Sequence, residues 1–392
     1  MIRSKLVQGA SSEVVRTINR RIVLNLIRTR QPLSRADLAR VSGLQRSTIS
    51  LIVEELIHQH WVIEGPTGRL PRGRRPTFLR LNDDRVIISI DIRPTQTTIA
   101  LADINGKFTS QEMISTPADP RVALEVLLPR IQKLIRACRR KMIEGIGISL
   151  PGRVDHAANR LVFAPNLRWR DVDLCTPIAE ASGLDVEFEN AANACVLASV
   201  WFDRMDGSQT IVAVTVSEGI GTGIWVNGQL ARGLSGMAGE FGHVPLDPKG
   251  PPCGCGSCGC WEVFASNRAA MRYYLESTSQ PSGFSFLDLL RLADQGDLRA
   301  EKALSTMAHY LGRGMRMIVA GLAPDRIVVI GDLTRSWLRF GPIIETEVQA
   351  QALPGGKVPV VIPAHEDGMA RLRGTVALVL QKHFGAAQQL PA

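Results

Sequence analysis

The densest chemistry in the sequence is the run Cys253, Cys255, Cys258, Cys260 and Glu262, set among glycines and preceded by Gly242-His243. Four of the seven cysteines of the chain fall within these eight residues, 253–260. Thiolates and an imidazole at such spacing suit the closed tetrahedral shell of a structural zinc ion. His243 with three of the cysteines would complete four ligands; a cluster of reduced thiols or a redox switch is the alternative. A second group of residues suits hydrogen bonding to base edges and phosphates from a helix: Gln45, Arg46, Ser47, Thr48 and Ser50. Close by, Arg69, Arg72, Arg74 and Arg75 crowd a loop rich in glycine and proline, a composition that can follow a narrow minor groove.

These groups need elements to hold them. Over residues 14–30, Val15, Ile18, Ile22 and Leu26 recur at spacings of three and four, with Val23 and Ile27 in support, and predict an amphipathic helix. Gln31-Pro32 ends it. Ser34 and Asp37 then form a variant capping box, and Leu38, Ala39 and Val41 give the next helix its apolar contacts. Gly43 supplies a turn, and a third helix is expected over about 45–60, burying Ile49, Ile52, Val53, Leu56 and Ile57. Helix, short turn and second helix is a helix-turn-helix. Residues 61–64 and 78–81 bracket the arginine loop as two strands of a wing would. Ser34, Arg35, Gln45, Arg46, Ser47, Thr48, Ser50, Arg72, Arg74 and Arg75 are therefore the candidate DNA contacts. Use of the same module for protein contacts is the alternative.

The charge follows this division. Residues 1–82 hold 15 lysines and arginines against 5 acidic residues, a charge of +10, while the other 310 hold 31 against 32, or −1. A basic module beside a neutral body implies a polyanion partner, nucleic acid before membrane. With 45% hydrophobic and 21% charged residues, the 392-residue chain reads as a folded protein of two or three domains. No apolar run reaches the roughly 18 residues that span a bilayer, and the first ten lack a signal-peptide core. The expectation is a cytoplasmic, nucleoid-associated protein with no membrane insertion.

Beyond residue 82 the texture changes to strands. Residues 86–91 and 97–103 read as a hairpin, and further strands are expected at 143–150, 186–189, 211–216, 223–226 and 327–330. The glycine-rich turn from Glu218 to Gly223 joins two of them. Helical stretches at 121–140, 193–203 and 300–320 alternate with these strands, which indicates an α/β body.

The chain resembles the ROK family (repressors, open reading frames and kinases), in its Mlc/NagC/xylose-repressor branch. The likeness rests on residues 32–39 of the helix-turn-helix, Arg74-Arg75-Pro76, Pro151-Gly152, Ala164-Pro165-Asn166, Glu189-Asn190, residues 219–228, Gly239-Glu240-Phe241-Gly242-His243 and the cysteine motif. It implies an actin-like, ribonuclease-H-like pair of α/β subdomains around a cleft. The expected divisions are 1–82, the winged helix-turn-helix; 83–194, rejoined by a C-terminal helix at 368–385; and 195–367, with the zinc motif. The resemblance makes His243, Cys253, Cys255 and Cys260 the zinc ligands and leaves Cys258 spare. It also makes Asn166, Asn190, Glu240, His243 and Glu262 the contacts for a sugar or sugar-derivative effector.

Two features of the family kinases are missing. Their Asp-x-Gly-Gly-Thr loop brings backbone amides to ATP phosphates; here it reads Asp91-Ile92-Arg93-Pro94-Thr95, and proline also removes an amide donor. Their general-base aspartate is replaced by Ala191, which accepts no proton. The expectation is thus a non-enzymatic repressor of carbohydrate-utilisation genes, a homodimer or homotetramer on an inverted-repeat operator in double-stranded DNA. A sugar kinase with an added DNA-binding domain, or a sensor controlled by a protein partner, are the alternatives.

Overall fold

The computed structural model describes residues 12–67, 76–156, 158–203, 205, 208–276, 283–350, 356–364 and 368–385. The N-terminal module comprises α1 (Ser12–Arg30), β1 (Leu33–Ser34), α2 (Arg35–Ser42), α3 (Arg46–His58), β2 (Val62–Thr67) and β3 (Thr77–Leu81). The capping box forms: Ser34 Oγ accepts from the Asp37 amide at 3.2 Å, and the Asp37 carboxylate accepts from the Ser34 amide at 3.1 Å. Gly43 closes α2 at φ 70°, a left-handed conformation that a side chain would strain. The helix α3 is slightly shorter than expected, because Gln45 is extended and stands at its N-cap rather than inside it.

One expectation about α1 needs correcting. Val15 and Ile18 are 45% and 44% exposed, and the buried apolar residues are Val23, Leu24, Leu26 and Ile27. The first turns of α1 meet α3 through polar contacts, an Arg16–Glu55 ion pair at 2.7 Å and Arg20 donating to Gln59 at 2.8 Å. That seam leaves Val15 and Ile18 facing outward. The wing strands β2 and β3 pair antiparallel, with Val62 opposite Leu81 and Glu64 opposite Leu79, and β1 pairs with the far side of β3. The loop between β2 and β3, with Arg69, Arg72, Arg74 and Arg75, lies outside the described residues.

The body holds two five-stranded sheets. The first contains β4 (Arg85–Ile92), β5 (Gln96–Asp103), β6 (Phe108–Ser115), β7 (Met142–Leu150) and, after a small sheet of β8 (Arg153–Asp155), β9 (Arg160–Ala164) and β10 (Trp169–Val172), β11 (Val186–Asn190). The helices α4 (Pro120–Ala137) and α5 (Cys175–Ser182) cover it, and α6 (Ala191–Phe202) leaves its last strand. The second contains β12 (Thr210–Val216), β13 (Ile220–Val226), β14 (Gln229–Leu230), β15 (Arg326–Ile330) and β16 (Val360–Pro363). Its helices are α7 (Trp261–Ala265), α8 (Asn267–Leu275), α9 (Phe286–Asp294), α10 (Leu298–Leu322) and α11 (Trp337–Gln349), and α12 (Ala370–Phe384) ends the fold.

Each sheet opens with an antiparallel meander of three strands and adds two parallel strands beside the first. Numbered within its own half, each sheet therefore has the order 3-2-1-4-5, the ribonuclease-H-like pattern twice over. Strands covered on both faces read as unbroken apolar runs, which is why residues 86–88 and 211–214 show no alternation. The helix α6 runs unbroken through residue 194 and touches both β11 and the second sheet's β12 and β13. The C-terminal α12 lies on β4, β7 and β11 of the first sheet and against α6. They cross closely: a Cβ at Gly374 would overlap the Ala194 carbonyl.

The far end of α12 docks the N-terminal module. The ring of Phe384 lies 5.7 Å from Trp61 and 5.3 Å from Trp201, edge-on to both, and its carbonyl accepts from Asn25 Nδ2 at 3.0 Å. Arg28 of α1 donates to the Trp201 carbonyl at 2.7 Å. The Arg85 guanidinium sits 3.9 Å over the Trp61 ring and pairs with Glu144, which also holds His383 at 3.2 Å.

Candidate functional site

Between the two sheets lies a cavity of about 490 Å³, a size suited to a small polar ligand. Asn166, Asn190, Glu240, His243 and Glu262, the five residues expected to contact an effector, all line it. Their freedom differs. Asn190 is the N-cap of α6: its Oδ1 accepts from the Ala192 amide at 2.8 Å and its Nδ2 donates to the Gly152 carbonyl. Asn166 is exposed and accepts from Arg268 at 3.2 Å, while Arg268 also pairs with Glu218 at 2.9 Å. Glu240 is 3.7 Å from His243 Nε2 and half-exposed towards the cavity. Gly219 lets Glu262 come close, since a Cβ there would stand 2.5 Å from Glu262 Oε2.

His243 joins the cavity to a metal-binding geometry. One ligand atom each from His243, Cys253, Cys255 and Cys260 lies within 4.8 Å of all the others. A tetrahedron around zinc with bonds of about 2.3 Å to sulfur and 2.05 Å to nitrogen has edges of roughly 3.8 Å and 3.6 Å. The Cys255–Cys260 sulfurs are 3.7 Å apart, and the Cys253 sulfur is 3.6 Å from His243 Nδ1. The four residues thus fit a metal ion, whose charge would stabilise deprotonated thiols in a site where Cys253 and Cys260 are buried. Cys258 is exposed and outside the set. Tight backbone bonds shape the knuckle, Cys253 N to Ser257 O at 2.8 Å and Gly259 N to Pro251 O at 2.7 Å.

The other end of the cleft is where a kinase would hold phosphates. Asp91 is buried, bonded by Arg93 at 2.6 Å and by Ser149 at 2.7 Å, with Arg371 of α12 at 3.9 Å. Two guanidiniums therefore flank the carboxylate, Arg371 largely buried and Arg93 half-exposed. Beside them Ala191 offers only a methyl group, and Glu218 lines the same cavity. Arg153 also lines it, with its Nε buried and unpartnered.

A further contact spans the cleft. Glu189 of the first half is fully buried and takes Arg232 of the second half at 2.9 Å, His156 at 3.2 Å and Asn193 at 3.0 Å. Burial alone would raise the Glu189 carboxyl, but hydrogen bonding and charge from His156, then Arg232 and Asn193, hold it below its ordinary range. Arg153, Glu218 and Arg232 sit in or beside motifs visible in the sequence, whereas Arg371 carries no local signal and reaches the cleft through tertiary packing.

The outer face of α3 presents Arg46 and Ser47 to solvent, with Gln45 exposed just before them and Thr48 and Ser50 half-buried. Arg35 is held by Glu64 at 2.8 Å. Ser34 is buried and its hydroxyl is engaged in the α2 cap, so its expected place as a surface DNA contact does not match its position. Arg72, Arg74 and Arg75 lie outside the described residues. No helix among the described residues is long and apolar enough to cross a membrane.

Known proteins match at both levels. The family model described as ROK family covers residues 87–382. A xylose repressor of Bacillus spizizenii is 30% identical over 380 residues, 96% of this chain and 98% of that protein. The crystal structure of a ROK family transcriptional regulator, a homologue of the Escherichia coli MLC protein, superposes with a TM-score of 0.79 at 25% identity over 94% of this chain and 99% of its own. A ROK family glucokinase from Streptomyces griseus, solved with glucose and AMPPNP, gives 0.68 at 28% identity over 76% of this chain and 99% of its own. The kinase match covers less of the chain than the regulator match. With the doubled sheet, the His243–cysteine knuckle and a family match across the body, the chain belongs to the ROK family.

Proposed function

We propose that this protein is a DNA-binding transcriptional repressor of carbohydrate-utilisation genes, governed by a sugar or sugar derivative bound in the cleft. The observation that carries the reading is the state of the cleft in a chain that also bears a helix-turn-helix. Its polyol end keeps Asn166, Glu240, His243 and Glu262, while its phosphate end is occupied by Arg93 and Arg371 around Asp91. Phosphoryl transfer needs approachable amides and a general base, and neither Pro94 nor Ala191 supplies one. The regulator-like relatives support the same reading. So does the exposed α3 on a module of charge +10.

A structural Zn²⁺ held by His243, Cys253, Cys255 and Cys260 would fix the imidazole, leaving Nε2 and the neighbouring Glu240 and Glu262 to orient hydroxyls. Wrong ligands would leave these polar groups unpaired, which is the source of selectivity. A homodimer or homotetramer would place two recognition helices on an inverted repeat. Coupling runs through α12, with Arg371 at the cleft and Phe384 against the module about 20 Å away along the helix axis. A ligand that favours one arrangement of the two halves shifts the population of docked modules.

The test is selection of double-stranded DNA by the full chain, followed by binding assays with and without a panel of sugars. Selective binding that a sugar alters supports the repressor; absence of sequence-selective binding at physiological salt rejects it. The likeness to the glucokinase body favours a second reading, a kinase with an added DNA-binding module. ATP-dependent phosphorylation of a hexose, abolished by Glu240→Gln, would establish it.

A further inference from the structure

We infer that Leu51 reads a thymine methyl group in the major groove and is a specificity-determining residue of α3. The inference rests on the operator-binding reading above. The helix α3 buries Ile49, Ile52, Val53 and Leu56 against the module. Its opposite face is the line Ser47, Leu51, Glu54 and His58, spaced by four, three and four residues, and all four are exposed. Leu51 stands in the middle of that line with 68% of its surface open. A lone exposed leucine is ordinary on a protein surface. This one is placed one turn beyond Arg46 and Ser47, in the part of a recognition helix that faces base edges.

Leucine has neither donor nor acceptor. Among base edges in the major groove, the group it can cover at no polar cost is the C5-methyl of thymine. Against cytosine it would cover the N4 amino donor and leave it unpaired. Glu54, the next residue on the line, adds a second argument. A carboxylate beside a phosphate would be repelled, so where the face shared by Leu51 and Glu54 meets DNA it meets base edges, which include the N4 amino donor of cytosine, rather than the backbone. The basic charge that brings DNA to the module lies elsewhere, on the arginines of the rest of residues 1–82.

Operator sequences selected by the full chain are resynthesised with each thymine replaced in turn by deoxyuridine, which removes only the methyl group. Covering one methyl is worth about a fourfold change in Kd. We expect one thymine in each half-site to show that factor with the wild type. In Leu51→Ala the same replacement changes nothing. The variant keeps its fold, because the position is exposed and alanine is at least as good a helix former. An equal uridine penalty in wild type and variant overturns the assignment, as does the absence of any methyl-sensitive thymine. If Leu51→Ala alters self-association and leaves the thymine-to-uridine ratio intact, the face belongs to a second copy of the chain. Selection that enriches no sequence overturns the operator reading itself, and the thymine assignment with it.

Discussion

Phe384→Ala tests the joint between the two parts of the molecule. Phe384 is fully buried, edge-on to Trp61 of the module at 5.7 Å and to Trp201 of α6 at 5.3 Å. Alanine keeps the carbonyl that accepts from Asn25 and removes the ring. Emptying such a site costs about 3–5 kcal/mol, which includes roughly 0.5–1.5 kcal/mol for each lost edge-to-face pair. The loss falls on the joint, because Phe384 shares one apolar cluster with Leu26, Ile49 and Leu56 of the module, whereas Ile88 and Ile148 inside the first sheet belong to a separate core. We expect urea unfolding followed by tryptophan fluorescence to split, with an early transition for the module and a later one for the body. A sugar that raises the melting point of the body should still do so, while its effect on operator affinity shrinks. A single cooperative transition shifted by less than about 1 kcal/mol, with the sugar effect intact, refutes α12 as the connection.

Three further outcomes follow from the same geometry. Cys255→Ser should lower metal content and melting temperature together, read by atomic absorption and calorimetry; full metal occupancy removes Cys255 from the ligand set. Arg46→Ala should weaken binding to selected DNA much more than to random DNA, since a base contact discriminates and a phosphate contact does not; equal losses in a titration of both reject base reading. The Glu144 carboxyl is pushed up by burial but held below its ordinary range overall by His383 and Arg85. A depressed folded value means that its contribution is complete above about pH 4.3, the ordinary value, and disappears as pH falls through the lower one. Glu144→Gln should therefore be less stable than wild type at pH 7, with a gap that closes in acid; a gap independent of pH in denaturant titrations contradicts the assignment.

Much of this was legible in residue order. The periodicity of Ile49, Ile52, Val53 and Leu56 gives α3 its buried side, and Ser34 with Asp37 marks the start of α2, because caps and stripes are local signals. The metal set is legible for the same reason: three of its four ligands sit within eight residues. What sequence could not supply is long-range. Val15 and Ile18 fit the helical period, yet whether a periodic face is covered depends on what packs there. Asn190 suits a ligand contact by type and does line the cavity, but that its amide also caps α6 and ties Gly152 is visible only in three dimensions. Arg371 lies 280 positions from Asp91 and meets it through the return of α12 to the first sheet. The shared strand order of the two halves is equally silent in sequence, since buried strands of any half read as similar apolar runs.

The placement of α12 also explains why a kinase-like body suits a switch. In a two-half fold the cleft is the place where relative motion of the halves is largest, so a ligand bound there biases their arrangement. The buried carboxylate of Glu189 pairs across that division with the partly exposed Arg232, and His156 and Asn193 complete its partners. Separating the halves at this point would strip the buried Glu189 carboxylate of its Arg232 partner, which costs free energy. α12 belongs to the first half through β4, β7 and β11, yet it also rests on α6, which touches the second sheet. On the proposed control by a sugar, a change in how the halves meet would be felt by α12 through α6, and the last residues of α12 are those that hold Trp61 and Asn25. The arginines at Asp91 fit this use: where a phosphoryl-transfer enzyme would admit a charged nucleotide, Arg371 anchors the start of the helix whose other end holds the DNA-binding module.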